Sequence, residues 1–257
     1  MSAPAHGKLY LVPAPLDFGC KLTTPLETVM PMGTLVVAAR LSFWICENAK
    51  STRAYLKRIN ELQPLSHQLQ ALHIQELPRE VHKKGDHASS STFDACSLLQ
   101  PALQGHDIGL VSEAGMPAIA DPGSSVVRAA HELNLQVVPL IGPMSLMLAL
   151  ASSGLHGQSF AFVGYLPQEA AQLTQRIKEI EALALKTGQA QLFIETPYRN
   201  AALLAALLRT LQPNTRLAIS CGLTLATGWT RSALVSVWKR EAVQPESELP
   251  AVFSLGR

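Results

Sequence analysis

Charge is scarce in this chain of 257 residues: only 16% are Asp, Glu, Lys or Arg, against a usual share of about 25%. Beside a hydrophobic content of 47%, that scarcity excludes a disordered polyelectrolyte and points to extensive buried surface, such as an oligomer interface would supply. The 21 basic and 19 acidic residues leave a formal charge of only +2. A bulk polyanion-binding tail is thereby excluded, while a local basic face is not. Cysteine is also sparse. Cys20, Cys46, Cys96 and Cys221 form no C-x-x-C pair, so neither a zinc nor a disulfide framework is expected, and reduced thiols suit a cytoplasmic protein. Long apolar runs are missing as well. Val137 to Leu150 is broken by Pro139, Gly142 and Pro143 and is shorter than the ~20 residues of a spanning helix. Met1 to Leu16 lacks the basic start and apolar run of a secretory leader. No dinucleotide fingerprint, P-loop, nucleophile elbow or H-E-x-x-H metal motif occurs.

What is present is an alternation of short apolar runs with longer helical patterns. Leu9–Val12, Leu35–Ala38, Asp107–Ser112, Gln136–Leu140, Phe160–Val163, Gln191–Ile194 and Leu217–Ser220 read as strands. Runs apolar throughout suit strands covered on both faces. Ser51–Ile59, Thr92–Leu103, Ser124–Leu133, Ser145–Ser153, Gln172–Leu185 and Tyr198–Leu211 read as helices. In the last of these Leu203, Leu204, Leu207, Leu208 and Leu211 form a helical stripe. Strand–helix alternation predicts an α/β architecture. At roughly 150 residues per domain the length allows one or two domains. The small-residue break from Gly154 to Gln158 suggests two, residues 1–154 and 158–257. The polar segment Arg79–Ser91 reads as a surface loop.

Two strand–turn–helix segments carry the chemistry. The first runs from Gly109 through Ser112-Glu113-Ala114-Gly115-Met116-Pro117 to Asp121-Pro122-Gly123, with Asp121-Pro122 expected to open a helix as N-cap and N1. The second is Val137-Val138-Pro139-Leu140-Ile141-Gly142-Pro143. Open α/β sheets bind ligands at the carboxyl ends of their strands, and small residues let a ligand approach the backbone. The same segments also suit an ordinary strand–loop–helix connection.

On these segments the chain resembles the tetrapyrrole-methylase superfamily, and within it the ribosomal-RNA small-subunit branch that methylates a cytidine ribose 2′-hydroxyl. Ser112–Gly123 stands for that branch's S-D-A-G-T-P-x-I-x-D-P-G, and Val137–Pro143 for its V-V-P-L-P-G-P. Leu9–Leu16, Phe162–Pro167 and Phe193–Arg199 match its L-Y-I-V-A-T-P-I, F-x-G-F-L-P and F-Y-E-S-P-H-R elements in order. The resemblance implies two α/β domains of tetrapyrrole-methylase type, S-adenosylmethionine in the cleft between them, and a homodimer. Carried over by position, the cofactor contacts would be Pro15, Ser112, Ala114, Gly115, Met116, Ile119, Ala120, Ser145, Leu166, Thr196, Gly222, Leu223, Pro250 and Ala251. The loops after Val111 and Ile141 would serve the cofactor's amino-acid end, and the C-terminal positions its adenine.

The substrate side departs from the branch. Its E-D-T-R stands here as Glu47-Asn48-Ala49-Lys50, its H-N-E is replaced near Ile74-Gln75-Glu76, and its R-E-L-T-K is reduced to Ser220-Cys221-Gly222-Leu223-Thr224. Lys is no equal of Arg where bidentate phosphate recognition is needed. Glu47 and Glu113 are the motif-associated acids that could accept a proton from a poorly nucleophilic ribose hydroxyl, or could simply orient loops. Lys50, Arg53 and Lys57 share one helix face and could meet phosphates, or form a solvated face. His67, His73, His82, His87, His106, His131 and His156 show no metal spacing, and no metal is expected. Trp44, Trp229 and Trp238 are expected to pack rather than stack on bases. The expected activity is therefore methyl transfer from S-adenosylmethionine to a ribose hydroxyl of ribosomal RNA in the cytoplasm, with no membrane. Methylation of a tetrapyrrole or other small metabolite, or a cofactor-binding module with little turnover, are the alternatives.

Overall fold

A computed structural model describes residues 6–78, 94–241, 245 and 248–257. The chain divides into two compact units, one comprising residues 1–18 and 24–143, the other residues 19–23 and 144–257. The Arg79–Ser91 segment lies outside the described residues.

In the first unit the elements run β1 (Leu9–Leu11), α1 (Leu26–Val29), α2 (Met32–Arg40), β2 (Phe43–Cys46), α3 (Ala49–Leu62), β3 (His73–Glu76), α4 (Gln100–Leu103), β4 (Ile108–Val111), α5 (Ser124–Glu132) and β5 (Val137–Pro139). A 3-10 turn, Ala95–Leu99, leads into α4. The Thr92–Leu103 helix read from the sequence is thus, in its described part, a 3-10 turn followed by a short helix. The strands form a parallel sheet in the order β3-β2-β4-β1-β5. Side chains alternate between its faces, as strand geometry demands. Tyr10, Val12, Trp44 and Cys46 pack with Leu26, Leu35, Leu56 and Ile59 on one side. Leu9, Ile45, Ile108 and Leu110 pack with Leu99, Val126 and Ala130 on the other. Both faces of the inner strands β1, β2 and β4 are covered, which is why these strands are unbroken apolar runs.

One strand expectation is overturned. Leu35–Ala38 lies inside helix α2, not in a strand. Pro31 begins that helix, and Leu35, Ala38 and Ala39 are buried while Val36 is exposed, a helical spacing that a four-residue window conceals. The second strand is instead Phe43–Cys46, just downstream.

The second unit contains α6 (Ser145–Ser153), β6 (Phe160–Tyr165), α7 (Ala170–Thr187), β7 (Ala190–Glu195), α8 (Asn200–Thr210), β8 (Arg216–Cys221), β9 (Trp229–Leu234), α9 (Val235–Trp238) and β10 (Ala251–Gly256). Gly154, read from the sequence as part of a break, is the left-handed C-cap of α6 at φ 70°. The sheet order is β6-β7-β10-β8-β9, with only β6 and β7 parallel. On one face Leu146, Ala149 and Leu150 of α6 meet Leu192 and Val252. On the other Ile177, Ile180 and Ala184 of α7 and Leu203, Leu204 and Leu207 of α8 enclose Phe193, Ile219 and Phe253. Phe193 and Phe253 sit opposite each other in register, their rings stacked 5.8 Å apart. Glu181, buried in this core, accepts hydrogen bonds from the Gln212 amide at 2.8 Å and the Thr215 hydroxyl at 2.5 Å, so its carboxylate is not left uncompensated.

Trp44 and Trp238 are buried and donate to the carbonyls of Leu41 and Leu217, as packing residues should. Cys46 and Cys96 are free thiols. No helix among the described residues is long and apolar enough to cross a membrane.

Candidate functional site

In the first unit β1 lies between β4 and β5, so the loops leaving three adjacent parallel strands emerge side by side at their carboxyl ends. These loops are locked together. The amides of Ala14 and Gly115 each donate to the other's carbonyl at 2.9 Å, joining the loop after β1 to the loop after β4. Gly115 has φ +73°, and an added Cβ would lie 3.3 Å from Leu16. At Gly142 an added Cβ would fall 2.3 Å from Pro13 Cγ, so only glycine lets the loop after β5 close on the loop after β1. Around this junction, Tyr55 donates its hydroxyl to the Pro13 carbonyl at 2.9 Å, and Thr34 donates to the Ile141 carbonyl at 2.7 Å. Arg58 holds Asp17 with two hydrogen bonds of 3.0–3.1 Å, fixing the chain just beyond Pro15.

The loop after β4 has an unusual backbone. Gly115 and Gly123 have positive φ, and so do Ala118 and Ala120, both at 65°. Alanine has no local reason to adopt the left-handed region, and such conformations concentrate where a loop must present its backbone to a ligand. Ser112 is buried, and its Oγ has no hydrogen-bond partner among the described residues. Ile119 and Ile141 expose apolar side chains at the ends of these loops. The sequence-derived contacts Pro15, Ser112, Ala114, Gly115, Met116, Ile119 and Ala120 thus fall on two loops that are hydrogen-bonded to each other.

The expected cap at Asp121-Pro122 is not formed. Helix α5 begins at Ser124 with Gly123 at its N-cap, φ 133°. Asp121 is left as a partly buried carboxyl, and desolvation, followed by the negative charges of Glu47 and Glu113, raises its pKa to about 7. The sequence does not reveal this environment, because a D-P pair before a helical pattern is an ordinary start signal.

Glu47 and Glu113 follow β2 and β4, which pair Cys46 with Val111. The two acids are therefore neighbours. The Glu113 amide donates to Glu47 Oε1 at 3.3 Å, and Ser51 donates its hydroxyl to Glu113 Oε1 at 3.1 Å. Among the described residues no group of three or more His, Cys, Asp or Glu is placed to hold a metal ion. Asn48 caps α3, its side chain accepting from the amides of Lys50 and Ser51. The Ala49 amide donates to Glu76 Oε1 at 2.6 Å. Lys50, Arg53 and Lys57 are exposed along α3.

In the second unit the candidates gather at one end of the sheet. Thr196 follows β7, and its amide and hydroxyl both donate to Glu195, which also pairs with Arg199 at 3.1 Å. Ala251 pairs with both Glu195 and Cys221. The Gly222 amide donates to the Pro250 carbonyl at 2.9 Å. Leu166 packs in the same core cluster as Ala251, and Leu223 packs beside Val252 and Leu146, the residue after Ser145.

No family model matches the chain. It is similar to proteins named ribosomal RNA small subunit methyltransferase I. The relative from Mesorhizobium japonicum is 30% identical over 223 residues, 86% of this chain and 65% of the relative. The one from Escherichia coli O157:H7 is 30% identical over 178 residues, 69% and 53%. The one from Halalkalibacterium halodurans is 38% identical over 102 residues, 40% and 34%. The chain thus spans about one to two thirds of the length of these relatives. Two solved structures share its fold. The uroporphyrin-III-C-methyltransferase from Thermus thermophilus gives a TM-score of 0.51 at 17% identity, covering 97% of this chain and 92% of that one. The methyltransferase CobJ gives 0.55 at 12% identity, covering 98% and 94%.

Proposed function

We propose, from the premise that the chain belongs to the tetrapyrrole-methylase family and is related in sequence to ribosomal RNA small subunit methyltransferases I, that it is a methyltransferase. Its methyl donor is S-adenosylmethionine and its acceptor a ribose 2′-hydroxyl of small-subunit ribosomal RNA. The reading includes a homodimer working in the cytoplasm. The observation that carries it is the locked loop pair around Gly115, where a backbone in the left-handed region and the unpartnered Ser112 Oγ offer polar groups for a ligand to satisfy.

The residues present fit that cofactor. A buried hydroxyl without a partner costs stability unless something completes it, and glycine at position 115 lets a ligand reach the main chain. Pro15, Ser112, Ala114, Gly115, Met116, Ile119 and Ala120 are the first unit's proposed contacts. Ser145, Leu166, Thr196, Gly222, Leu223, Pro250 and Ala251 are those of the second. Bound S-adenosylmethionine supplies a methyl group already activated by its sulfonium. The work left to the chain is to place a hydroxyl in line and to take up its proton. Asp121 suits the second task, because its proton affinity lies near neutrality. Glu47 and Glu113 raise that affinity and remain proposed acceptors in their own right. Lys50, Arg53 and Lys57 would meet RNA phosphates.

The test is calorimetry with S-adenosylmethionine and S-adenosylhomocysteine, followed by tritiated methyl transfer to small ribosomal subunits lacking the modification. Micromolar binding of both and labelling of the RNA support the reading. A folded protein that binds neither, or that labels a small metabolite and no RNA, overturns it.

A further inference from the structure

Away from the Gly115 loops, the first unit contains a cavity of about 440 Å³ along edge strand β3, within the size range of small-ligand sites. Its lining includes Phe43, Arg53, His73, Gln75, Leu98 and Ile108, and holds no carboxylate among the described residues. Three rings form a stack here: Phe43 lies 4.8 Å from His73, their planes nearly parallel, and 4.9 Å from His106 on a tilt. Phe43 is half-buried, while His73 and His106 are exposed at the two ends of the stack. The exposed rings of the stack are therefore imidazoles resting on a half-buried phenyl.

Arg53 places a cation in the same lining. Its guanidinium donates a 3.4 Å hydrogen bond to the Ala49 carbonyl and has no carboxylate pair among the described residues. The neighbouring acid Glu76 is turned to the Ala49 amide. Among the described residues strand β3 pairs with β2 alone, so its outer edge leaves backbone donors and acceptors outside the described sheet.

We propose that this cavity is a subsite for one nucleotide of a single-stranded RNA, its base laid on the His73 ring and its phosphate drawn to Arg53. Open aromatic faces beside an unpaired guanidinium are what single-strand readers use, because every base has a π-face and every phosphate a charge. A strand fits better than a free mononucleotide, since Lys50 and Lys57 extend the cationic line along α3. At 1.5 Å per residue the line from position 50 to position 57 is roughly 10 Å long. The subsite rests on the RNA reading above and deepens it by naming where the acceptor strand is gripped.

The experiment measures binding of a fluorescein-labelled single-stranded RNA by anisotropy across a salt series, beside calorimetry with S-adenosylmethionine and with cytidine monophosphate. His73→Ala should weaken RNA binding about tenfold with an unchanged salt slope, as loss of one stacking contact does. Arg53→Gln should weaken it and reduce the slope of log K against log salt by about 0.7, as loss of one phosphate contact does. Addition of RNA should shift the His73 ring resonances. If both variants bind RNA and methylate it as the parent does, the subsite is overturned while the methyltransferase reading stands. If the parent binds the cofactor but no RNA, the acceptor assignment and the subsite fall together. Binding of cytidine monophosphate without binding of the strand also overturns the proposal.

Discussion

The backbone amide of Glu113 donates to Oε1 of Glu47 across 3.3 Å. That contact ties the carboxyl end of β4 to that of β2 and keeps two negative charges beside Asp121, which add to the effect of its burial in raising its pKa to about 7. If Asp121 takes the proton in methyl transfer, the rate should rise as pH increases through about 7 and level off above it. Asp121→Asn should lose that rise along with at least tenfold in rate. Glu47→Gln removes one of the charges holding the proton on, so the midpoint of the rise should move to lower pH. A midpoint unmoved in Glu47→Gln would remove Asp121 from this role. The check is methyl transfer at saturating substrate between pH 5.5 and 9.

The same carboxyl makes a prediction about stability. Asp121 binds its proton more tightly in the folded chain than in the unfolded one. Its contribution is therefore fully present below the unfolded carboxylate range and is lost as pH rises through about 7. Asp121→Asn, neutral at every pH, should be spared this loss and be more stable than the parent by roughly 1–3 kcal/mol at pH 8, after allowance for solvent screening. Near pH 4 the gap should close. Urea midpoints at the two pH values decide it, and curves that run parallel would contradict the assignment.

How much of this was legible in the sequence depended on whether a signal was local. Ile108–Val111, Val137–Pro139 and Ser145–Ser153 were readable because a short apolar run, or a helical period, was bounded by turn residues. Leu35–Ala38 was misread because a buried helix segment and a buried strand look alike over four residues. Strands β3 and β9 escaped notice because His73–Glu76 and Trp229–Leu234 carry polar residues tolerated at sheet edges. Gly115 and Ser112 were visible as motif members. The elevated Asp121 was not, since its protonation depends first on burial by the folded loop and then on Glu47 and Glu113, which come together only through strand pairing.

Asn48 shows how a departure from the family pattern can leave the fold intact. Its side chain caps α3 through the amides of Lys50 and Ser51 at 2.9 and 3.3 Å. Asn and Asp are nearly equal in this role. Asn48→Asp should change stability by a few tenths of a kcal/mol at most, whereas Asn48→Ala should cost about 1 kcal/mol. Chemical denaturation of the two variants separates the cap from any further role. An Asn48→Asp variant with ordinary stability but altered RNA methylation would place the residue's charge on the substrate side.

The contact of Gly142 with Pro13 makes the sharpest steric prediction. A methyl group at position 142 would lie 2.3 Å from Cγ and 2.6 Å from Cβ of Pro13. Pro13 cannot swing aside, because Tyr55 holds its carbonyl at 2.9 Å and the preceding Val12 amide is bonded to Leu110 at 2.8 Å. The loop after β5 must move instead. Gly142→Ala should therefore cost roughly 1–3 kcal/mol by overpacking and weaken S-adenosylmethionine binding, since the loop after β1 that carries Ala14 is bonded directly to Gly115. Gly33→Ala provides the contrast. That glycine lies in α2 with open space where its Cβ would be, so the substitution should stabilise by about 0.5–1 kcal/mol through helix propensity. Urea midpoints of the two variants should fall on opposite sides of the parent's, and only Gly142→Ala should lower cofactor affinity. Equal affinity in both would separate the loop junction from the cofactor site.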